Sequence, residues 1–397
     1  MKTFLKVLKI IGISLGSLIG AILLFLVILF GTWYLRPNQA HVDKAVVVDS
    51  WDIANDKNHN SNTDMIQWKD QFYIAYVSSP YHFASNQSIL HIKLSNDMGH
   101  SWTEVHAFNA NGQDIRDPKF AIIGNRLFLY ALKNDTFLAE PYLTMYSYTE
   151  DGSTWQELQK VANVDGWLFW RPKTQDGITF NDAAYWHEHG KSILLKSTDG
   201  INWEIVSNIH EGQHNDETEI EFLPDGRLLA TARLEYDSFG DGMFGHPLGA
   251  TLITVSAPPF TSWTDLLQSR VTRLDGPNLF TYNQRIYAVG RYQADLGKSG
   301  PLTDQGSALA KKRTSLFEVK YKDGQIGLSY LTDLPSDGDT SYEGLVISGD
   351  TAYISYYTSP INHDYAWILG MLSPSQVRMA AVDLKALEAL ANQTQAR

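Results

Sequence analysis

No cysteine occurs among the 397 residues. Disulfides, thiolate metal sites, a cysteine nucleophile and a lipid-modified N-terminal cysteine are thereby excluded, so the apolar core alone must hold the fold. Positive charge is also short: 32 Lys and Arg stand against 44 Asp and Glu, a formal net charge of −12. Such a field repels a polyanion and argues against nucleic acid as a partner, although a local arginine cluster can still bind a small anion. Helical periodicity is missing from about Lys44 until the tail. The histidines lack zinc-ligand spacing and the acids form no calcium-loop pattern, so neither a metal nor a cofactor is expected. Hydrophobic residues make up 44% of the chain and aromatics 12%, enough for a large core.

The one long apolar run lies at the start. Lys2, Lys6 and Lys9 precede an uncharged stretch from Ile10 to about Tyr34, which ends in Trp33, Tyr34, Arg36 and Pro37. A bilayer needs about 20 apolar residues in a helix, whereas a cleavable signal has a shorter apolar region of about 7–15. Residues 1–40 therefore read as a cytoplasmic stub and a retained transmembrane signal anchor, with a signal cleaved after Asn38-Gln39-Ala40 as the alternative. The lysines belong in the cytoplasm, and Trp33 and Tyr34 suit the interfacial belt. Residues 41–397 then form one domain outside the cell membrane, tethered by a single pass.

That domain has strand-and-hairpin texture: short segments rich in Val, Ile, Tyr, Phe and Trp, broken by Gly, Asn and Asp. One pattern recurs at roughly 50-residue spacing, the length of a four-stranded propeller blade. Ser95-Asn96-Asp97-Met98-Gly99-His100-Ser101-Trp102 is followed by Thr149-Glu150-Asp151-Gly152-Ser153-Thr154-Trp155 and Ser197-Thr198-Asp199-Gly200-Ile201-Asn202-Trp203. The Asp accepts backbone N–H groups in a tight turn, the Gly supplies positive φ, and the Trp lays an apolar face between sheets. The pattern is a structural staple, and its acid is not a catalytic candidate.

A polar cluster precedes each alternating strand: Asn62-Thr63-Asp64, Arg116-Asp117-Pro118, Trp170-Arg171-Pro172, Asp216-Glu217-Thr218-Glu219, Asp275-Gly276-Pro277-Asn278 and Ser341-Tyr342-Glu343-Gly344. These six units predict an all-β, six-bladed β-propeller. In a propeller the first strand of every blade lines the central channel, so the clusters converge on one mouth, a setting suited to sugar chemistry. The strand Lys44–Asp49 has no blade of its own and is expected to pair near Val377–Leu384, closing the last blade. Residues 383–397 read as a short helix and a frayed tail. Tyr236–Gly249 and Gln293–Arg313, the latter with basic Lys311-Lys312-Arg313, read as loops that could rim a pocket.

At these residues the chain resembles the sialidase superfamily. The three staples are similar to its Asp boxes, the Glu217–Arg233 segment to its glutamate strand followed by a triad arginine, and Ser341–Val346 to its tyrosine segment. The resemblance implies an exo-alpha-sialidase-like glycoside hydrolase acting on cell-surface or environmental glycans. In that reading Tyr342 is the nucleophile, assisted by Glu217 or Glu219. Arg116, Arg233 and Arg291 hold a sugar carboxylate, with Arg171 as substitute, and Asp64 or Asp135 is the acid/base. A neutral nucleophile avoids repulsion by the sugar's acid group, and tyrosine enzymes are exceptions to the paired-carboxylate rule. The chain departs from the family pattern in two places. The first blade has Asn62-Thr63-Asp64 where the family has Arg-x-Pro, and Phe222 falls at the counted glutamate position.

Those departures favour a second reading. Arg116–Phe120 and Asp275–Phe280 resemble motifs of five-bladed furanosidases, which would assign the chemistry to Asp64, Asp117 and Glu217 or Glu219 and place Asp275 in the substrate site. A third reading is a non-catalytic glycan-binding propeller whose Trp167, Trp170, Tyr185 and Trp186 stack on sugars.

Overall fold

The computed structural model describes residues 2–109, 112–134, 142–235, 249–293, 308–322 and 325–395. The alternating segments pair into six antiparallel sheets, giving the six blades expected. The inner strands are His59–Trp68, Asp114–Ile123, the broken pair Trp167–Phe169 and Lys173–Thr174, Thr218–Phe222, Asp275–Tyr282 and Thr340–Ser348. Every polar cluster of the sequence lies on, or directly ahead of, one of these strands.

Within each of the first five blades, strand order follows the chain outward. The sixth is completed from the other end of the domain: Val47–Ala54 pairs with Gln376–Asp383, setting Val47 opposite Val382 and Ala54 opposite Val377. The closing strand starts three residues later than the sequence suggests. Asp43 O accepts Val46 N at 3.1 Å and Val47 N at 2.8 Å, so a turn occupies the first positions. This closure joins the two ends of the domain, hiding sheet edges that would otherwise be open.

The core lies between the blades. Trp68, Tyr73 and Leu90 of the first meet Phe120, Leu127 and Leu129 of the second, and Met65, Phe72 and Ile74 of the first meet Val346, Val377 and Met379 of the sixth. The C-terminal helix Leu384–Gln395 buries Leu384, Leu387 and Ala391 against the junction of the fifth and sixth blades.

The three staples share one hydrogen-bond pattern between the third and fourth strands of the first three blades. Asp97 Oδ1 accepts Ser101 N at 2.8 Å, Asp151 Oδ1 accepts Thr154 N at 2.7 Å, and Asp199 Oδ1 accepts Asn202 N at 2.8 Å. Hydrogen bonds from Ser101 hold Asp97 down at about 2, which removes it from acid chemistry. The same turn occurs once more at Thr174–Thr179, where Asp176 Oδ1 accepts Ile178 N at 2.8 Å and Thr179 N at 2.7 Å. It links inner and second strands and lacks the tryptophan, which is why the sequence pattern passes over it.

The N-terminal helix spans Lys2–Leu35. Its stretch Lys6–Leu35, 30 residues, is long and apolar enough to cross a bilayer, and its most apolar part is not buried in the protein. Trp33 and Tyr34 are engaged by the propeller. Trp33 is 8% exposed, against Tyr365 and Ala366, Tyr34 stacks on His363 at 4.3 Å, and Arg36 Nε meets Asp364 Oδ2 at 3.1 Å.

Two expectations about loops change. Lys312 and Arg313 belong to the buried strand Lys312–Lys322. Arg313 meets Asp337 at 2.9 Å and Asp364 at 2.6 Å, and Lys311 meets Asp364 at 2.6 Å. Lys311 and Arg313 are thus matched by acids from the sixth blade, while Lys312 Nζ donates to Gln293 Oε1 at 2.8 Å, so the triplet is not a solvated rim. Residues 236–248 and 294–307, with Asp135, lie outside the described residues.

Candidate active site

A recurring break in the inner strands builds the mouth. Pairing slips between Ser61 and Asp64, Arg116 and Lys119, Asp275 and Asn278, and Ser341 and Gly344. Two residues bulge out each time, and the first has a left-handed backbone: Asn62 (φ 51°), Asp117 (φ 51°), Gly276 (φ 66°) and Tyr342 (φ 57°). Bulges re-aim side chains beside functional sites. The prolines at 118 and 277 fit because a bulged residue owes the ladder no N–H. Left-handed backbone at non-glycine residues costs about 1–3 kcal/mol each and clusters at functional sites. Gly276 shows why one position must be glycine: a Cβ there would lie 3.0 Å from the Tyr342 ring.

The four bulges and the fourth blade's Glu217 bring five blades into contact. Asn62 Nδ2 donates to Asp117 Oδ1, and the Tyr342 hydroxyl donates to Glu217 Oε1. Glu217 also takes Arg233 Nη1 at 3.1 Å and Gly276 N at 2.6 Å. Burial pushes the Glu217 carboxyl up, opposed by Arg233 and reinforced by Asp216 and Asp275. Burial, and then Glu217, push the Tyr342 phenol well above its ordinary value. The arrangement is a neutral phenol aimed at a base.

The arginines gather on one carboxylate. Asp275 accepts Arg273 Nε at 3.0 Å and Nη2 at 3.1 Å and Arg291 Nη1 at 3.2 Å, with Arg233 Nη1 3.7 Å away. Burial alone would raise Asp275, but Arg273, Arg233 and Arg291 hold it well below the usual carboxylate range. Arg233, Arg273 and Arg291 thus all approach Asp275, although Arg233 is held chiefly by Asp216, its Nε donating to Oδ1 at 2.6 Å. Arg273 stands just ahead of its blade's polar cluster, with no motif of its own. Arg116 pairs with Asp114 at 2.6 Å instead. Arg291 also lies 5.6 Å from the Tyr342 ring.

The glutamates at 217, 219 and 221 share one strand face, and the period of two stacks them down the channel. Glu217 is at the mouth. Glu219, fully buried, bonds Arg171 Nη1 and lies 3.1 Å from Lys173 Nζ. Glu221 meets Lys173 at 2.5 Å. Arg171 plugs the channel at mid-height. From the third blade it reaches Asp64 Oδ1 at 3.1 Å, Glu219, Pro277 O at 3.4 Å and Glu343 O at 2.9 Å. Asp64 is locked by Arg171 and by Phe120 N at 2.6 Å. Beyond this plug a cavity of ≈ 450 Å³, lined by Phe120, Lys173, Phe180, Glu221 and Leu279, occupies the far end of the channel.

Trp170, 1% exposed, backs the mouth at 6.1 Å from the Tyr342 ring, its Nε1 donating to Pro277 O at 2.9 Å. Tyr185 packs in the same cluster. Trp167 and Trp186 meet edge to face at 5.2 Å, away from Tyr342. Lys119, unremarked in sequence beyond its motif, is 1% exposed. Among the described residues its Nζ has no hydrogen-bond partner, and it lies 4.7 Å from the Trp170 ring and 5.9 Å from that of Tyr342. Burial, and then Arg171, push it down.

No protein-family model and no curated protein matches the sequence. Solved structures do resemble the fold. A phage phi92 endosialidase aligns with TM-score 0.59 at 10% identity over 85% of this chain and 69% of its own. A Hadza microbial sialidase aligns with TM-score 0.56 at 16% identity, over 85% and 69%. An alpha-L-arabinofuranosidase from Fusarium graminearum aligns with TM-score 0.56 at 12% identity, over 88% and 98%. At such identities the likeness establishes the propeller fold.

Proposed function

We propose that the mouth is the active site of a sialidase-like glycoside hydrolase. The hydrogen bond from Tyr342 to Glu217 is the observation that supports this reading most. Tyr342 Oη attacks the anomeric carbon while its proton passes to Glu217, and the bond to the leaving oxygen breaks. Asp117, held by Asn62 beside Tyr342, is placed to protonate that oxygen. Water then cleaves the tyrosyl glycoside, its proton passing to Asp117, and the phenol oxygen recovers its proton from Glu217. Lys119 and Arg291, both close to the Tyr342 ring, lower the cost of negative charge on its oxygen. A sugar carboxylate would compete with Asp275 for Arg233, Arg273 and Arg291, whose planar forks suit bidentate pairing.

Asp64, Glu219 and Arg171 are assigned to the plug beneath the mouth, with no part in the chemistry. A carboxylate mechanism is the second reading, favoured by the joint presence of Asp117 and Glu217 at the mouth. A panel of aryl glycosides, including an aryl sialoside, separates the two. Release from the sialoside supports the tyrosine reading, release from neutral sugars alone supports the carboxylate reading, and no release anywhere leaves a glycan-binding propeller.

The pH profile offers an independent check. Glu217 must be ionised to accept the phenolic proton, and its folded pKa is raised. Activity should therefore fall with decreasing pH along a limb lying above the ordinary Glu value of about 4.3. Glu217→Gln should lower kcat by about 10²–10³ and abolish that limb. Persistence of the limb in the variant would assign it elsewhere.

The same reading places the propeller on the outer side of the cell membrane, with Leu35 near the bilayer surface. Trp33 packs on Tyr365 and Ala366. Trp367 follows them in the chain and lies 5.0 Å from Arg291, which in turn lies 5.6 Å from the Tyr342 ring. Ala366, Trp367 and Arg291 thus link the anchor to the mouth, which favours glycans carried on the same membrane. In proteoliposomes of the full chain, a lipid-linked glycoside in the same vesicle should be cleaved at least about tenfold faster than one in separate vesicles. Equal rates would refute this placement.

A further inference from the structure

Beside the mouth, outside the chemistry assigned above, two histidines and an aspartate from three segments meet. His59 opens the inner strand of the first blade, His82 follows that blade's second strand Gln71–Ser79, and Asp339 directly precedes the inner strand of the sixth. The side chains of His59 and Asp339 are fully buried, and that of His82 is 23% exposed. Asp339 Oδ2 lies 2.6 Å from His82 Nδ1 and 3.2 Å from His59 Nε2. One donor atom from each residue falls within 4.8 Å of the other two.

The groups around the cluster orient it. His59 Nδ1 lies 2.8 Å from Ser373 O. A carbonyl only accepts, so Nδ1 carries a proton and Nε2 is the ring atom turned toward Asp339. Among the described residues the buried His59 Nε2 makes no hydrogen bond, and at 3.2 Å it and Asp339 Oδ2 are spaced as two ligands of one cation. The other oxygen, Asp339 Oδ1, is engaged by Trp367 Nε1 at 2.8 Å and Tyr357 OH at 2.9 Å. Arg291 Nη2 is 3.5 Å from Oδ1, so Oδ2 is the oxygen that faces His59 and His82.

We propose that His59 Nε2, His82 Nδ1 and Asp339 Oδ2 bind one divalent first-row transition ion of the zinc class. Ligand distances of about 2.0–2.2 Å in a tetrahedral set put donor atoms about 3.3 Å apart. The His59–Asp339 gap already matches. His82, the partly exposed member, retreats by less than about 1 Å and shifts its proton to Nε2. Hydrogen bonds on the far side of ligating His and carboxylate groups are the usual outer support of a metal site. Two nitrogen ligands select against calcium and magnesium. Among the described residues one other cluster is as tight, His189 with His214 and Glu235, but all three of its members are partly exposed. The ion clamps the first blade to the sixth, the blade that the N-terminal strand closes. Spacing along the chain does not reveal such a set, because its members are far apart in sequence.

The test uses the full chain in detergent, stripped with chelator and dialysed, then titrated with Co²⁺ and Zn²⁺. The expected result is one Co²⁺ per chain with the visible spectrum of a four- or five-coordinate ion, its displacement by Zn²⁺, and a Tm raised by roughly 5 °C. His82→Ala should lose the spectrum and the Tm rise, while its metal-free Tm stays within about 2 °C of the parent. Failure to take up Co²⁺, or uptake unchanged in His82→Ala, would overturn the assignment. So would an equal Tm rise with Ca²⁺.

Discussion

Tyr342→Phe is expected to lower kcat for an aryl sialoside by at least about a thousandfold while leaving the protein folded. The substitution removes one oxygen and keeps the ring between Trp170, Lys119 and Arg291. If Tyr342 is the nucleophile, the glycosyl intermediate cannot form, and only binding and charge stabilisation remain. The structural cost is the lost hydrogen bond on Glu217, about 1–2 kcal/mol, because Arg233 and Gly276 N still satisfy that carboxylate. Steady-state kinetics and thermal melts on the same preparations separate the two effects. A variant that kept a tenth of the rate would remove Tyr342 from the reaction.

Arg171→Met should instead act on stability. Methionine matches the length of the arginine stem but strands the carboxylates of Asp64 and Glu219, both buried. Removing one partner from a buried ionic network typically costs 3–5 kcal/mol, and a loss of about 4 kcal/mol is expected by denaturant unfolding of the full chain. Lys173 still lies 3.1 Å from Glu219 and Phe120 N still donates to Asp64, which keeps the loss from growing larger. Because protonation neutralises stranded carboxylates, the gap between variant and parent should narrow as pH falls. Since the plug lies below the mouth, kcat of the folded variant should drop far less than in Tyr342→Phe. The opposite ranking would mean that Arg171 or Asp64 belongs to the active site.

The propeller was legible because its signals are local and periodic. Six polar clusters ahead of alternating strands mark six inner strands, and the three Asp-Gly-Trp turns mark three blades. Depth in the channel was not legible. Glu217 and Glu219 share a strand face, so sequence leaves both open as partners of Tyr342. The bulge at Ser341–Gly344 and the reach of Arg171 decide that Glu217 touches Tyr342 and Glu219 joins the plug. Asp64 looked like a free first-blade acid, yet Arg171 arrives from two blades away. Arg273 was missed because its role depends on Asp275 folding back beside it. Lys311 and Arg313 read as part of a basic loop, since their counter-charges Asp337 and Asp364 lie in the next blade.

The claim that Tyr342 is the nucleophile of a sialidase-like site is tested most directly by trapping the intermediate. The full chain would be incubated with 2,3-difluorosialic acid, digested and mapped by mass spectrometry. The account predicts one covalent sugar adduct on the peptide containing Tyr342, absent from Tyr342→Phe and diminished in Glu217→Gln. No adduct on active enzyme, or one on Asp64, Asp117 or a glutamate, would contradict it.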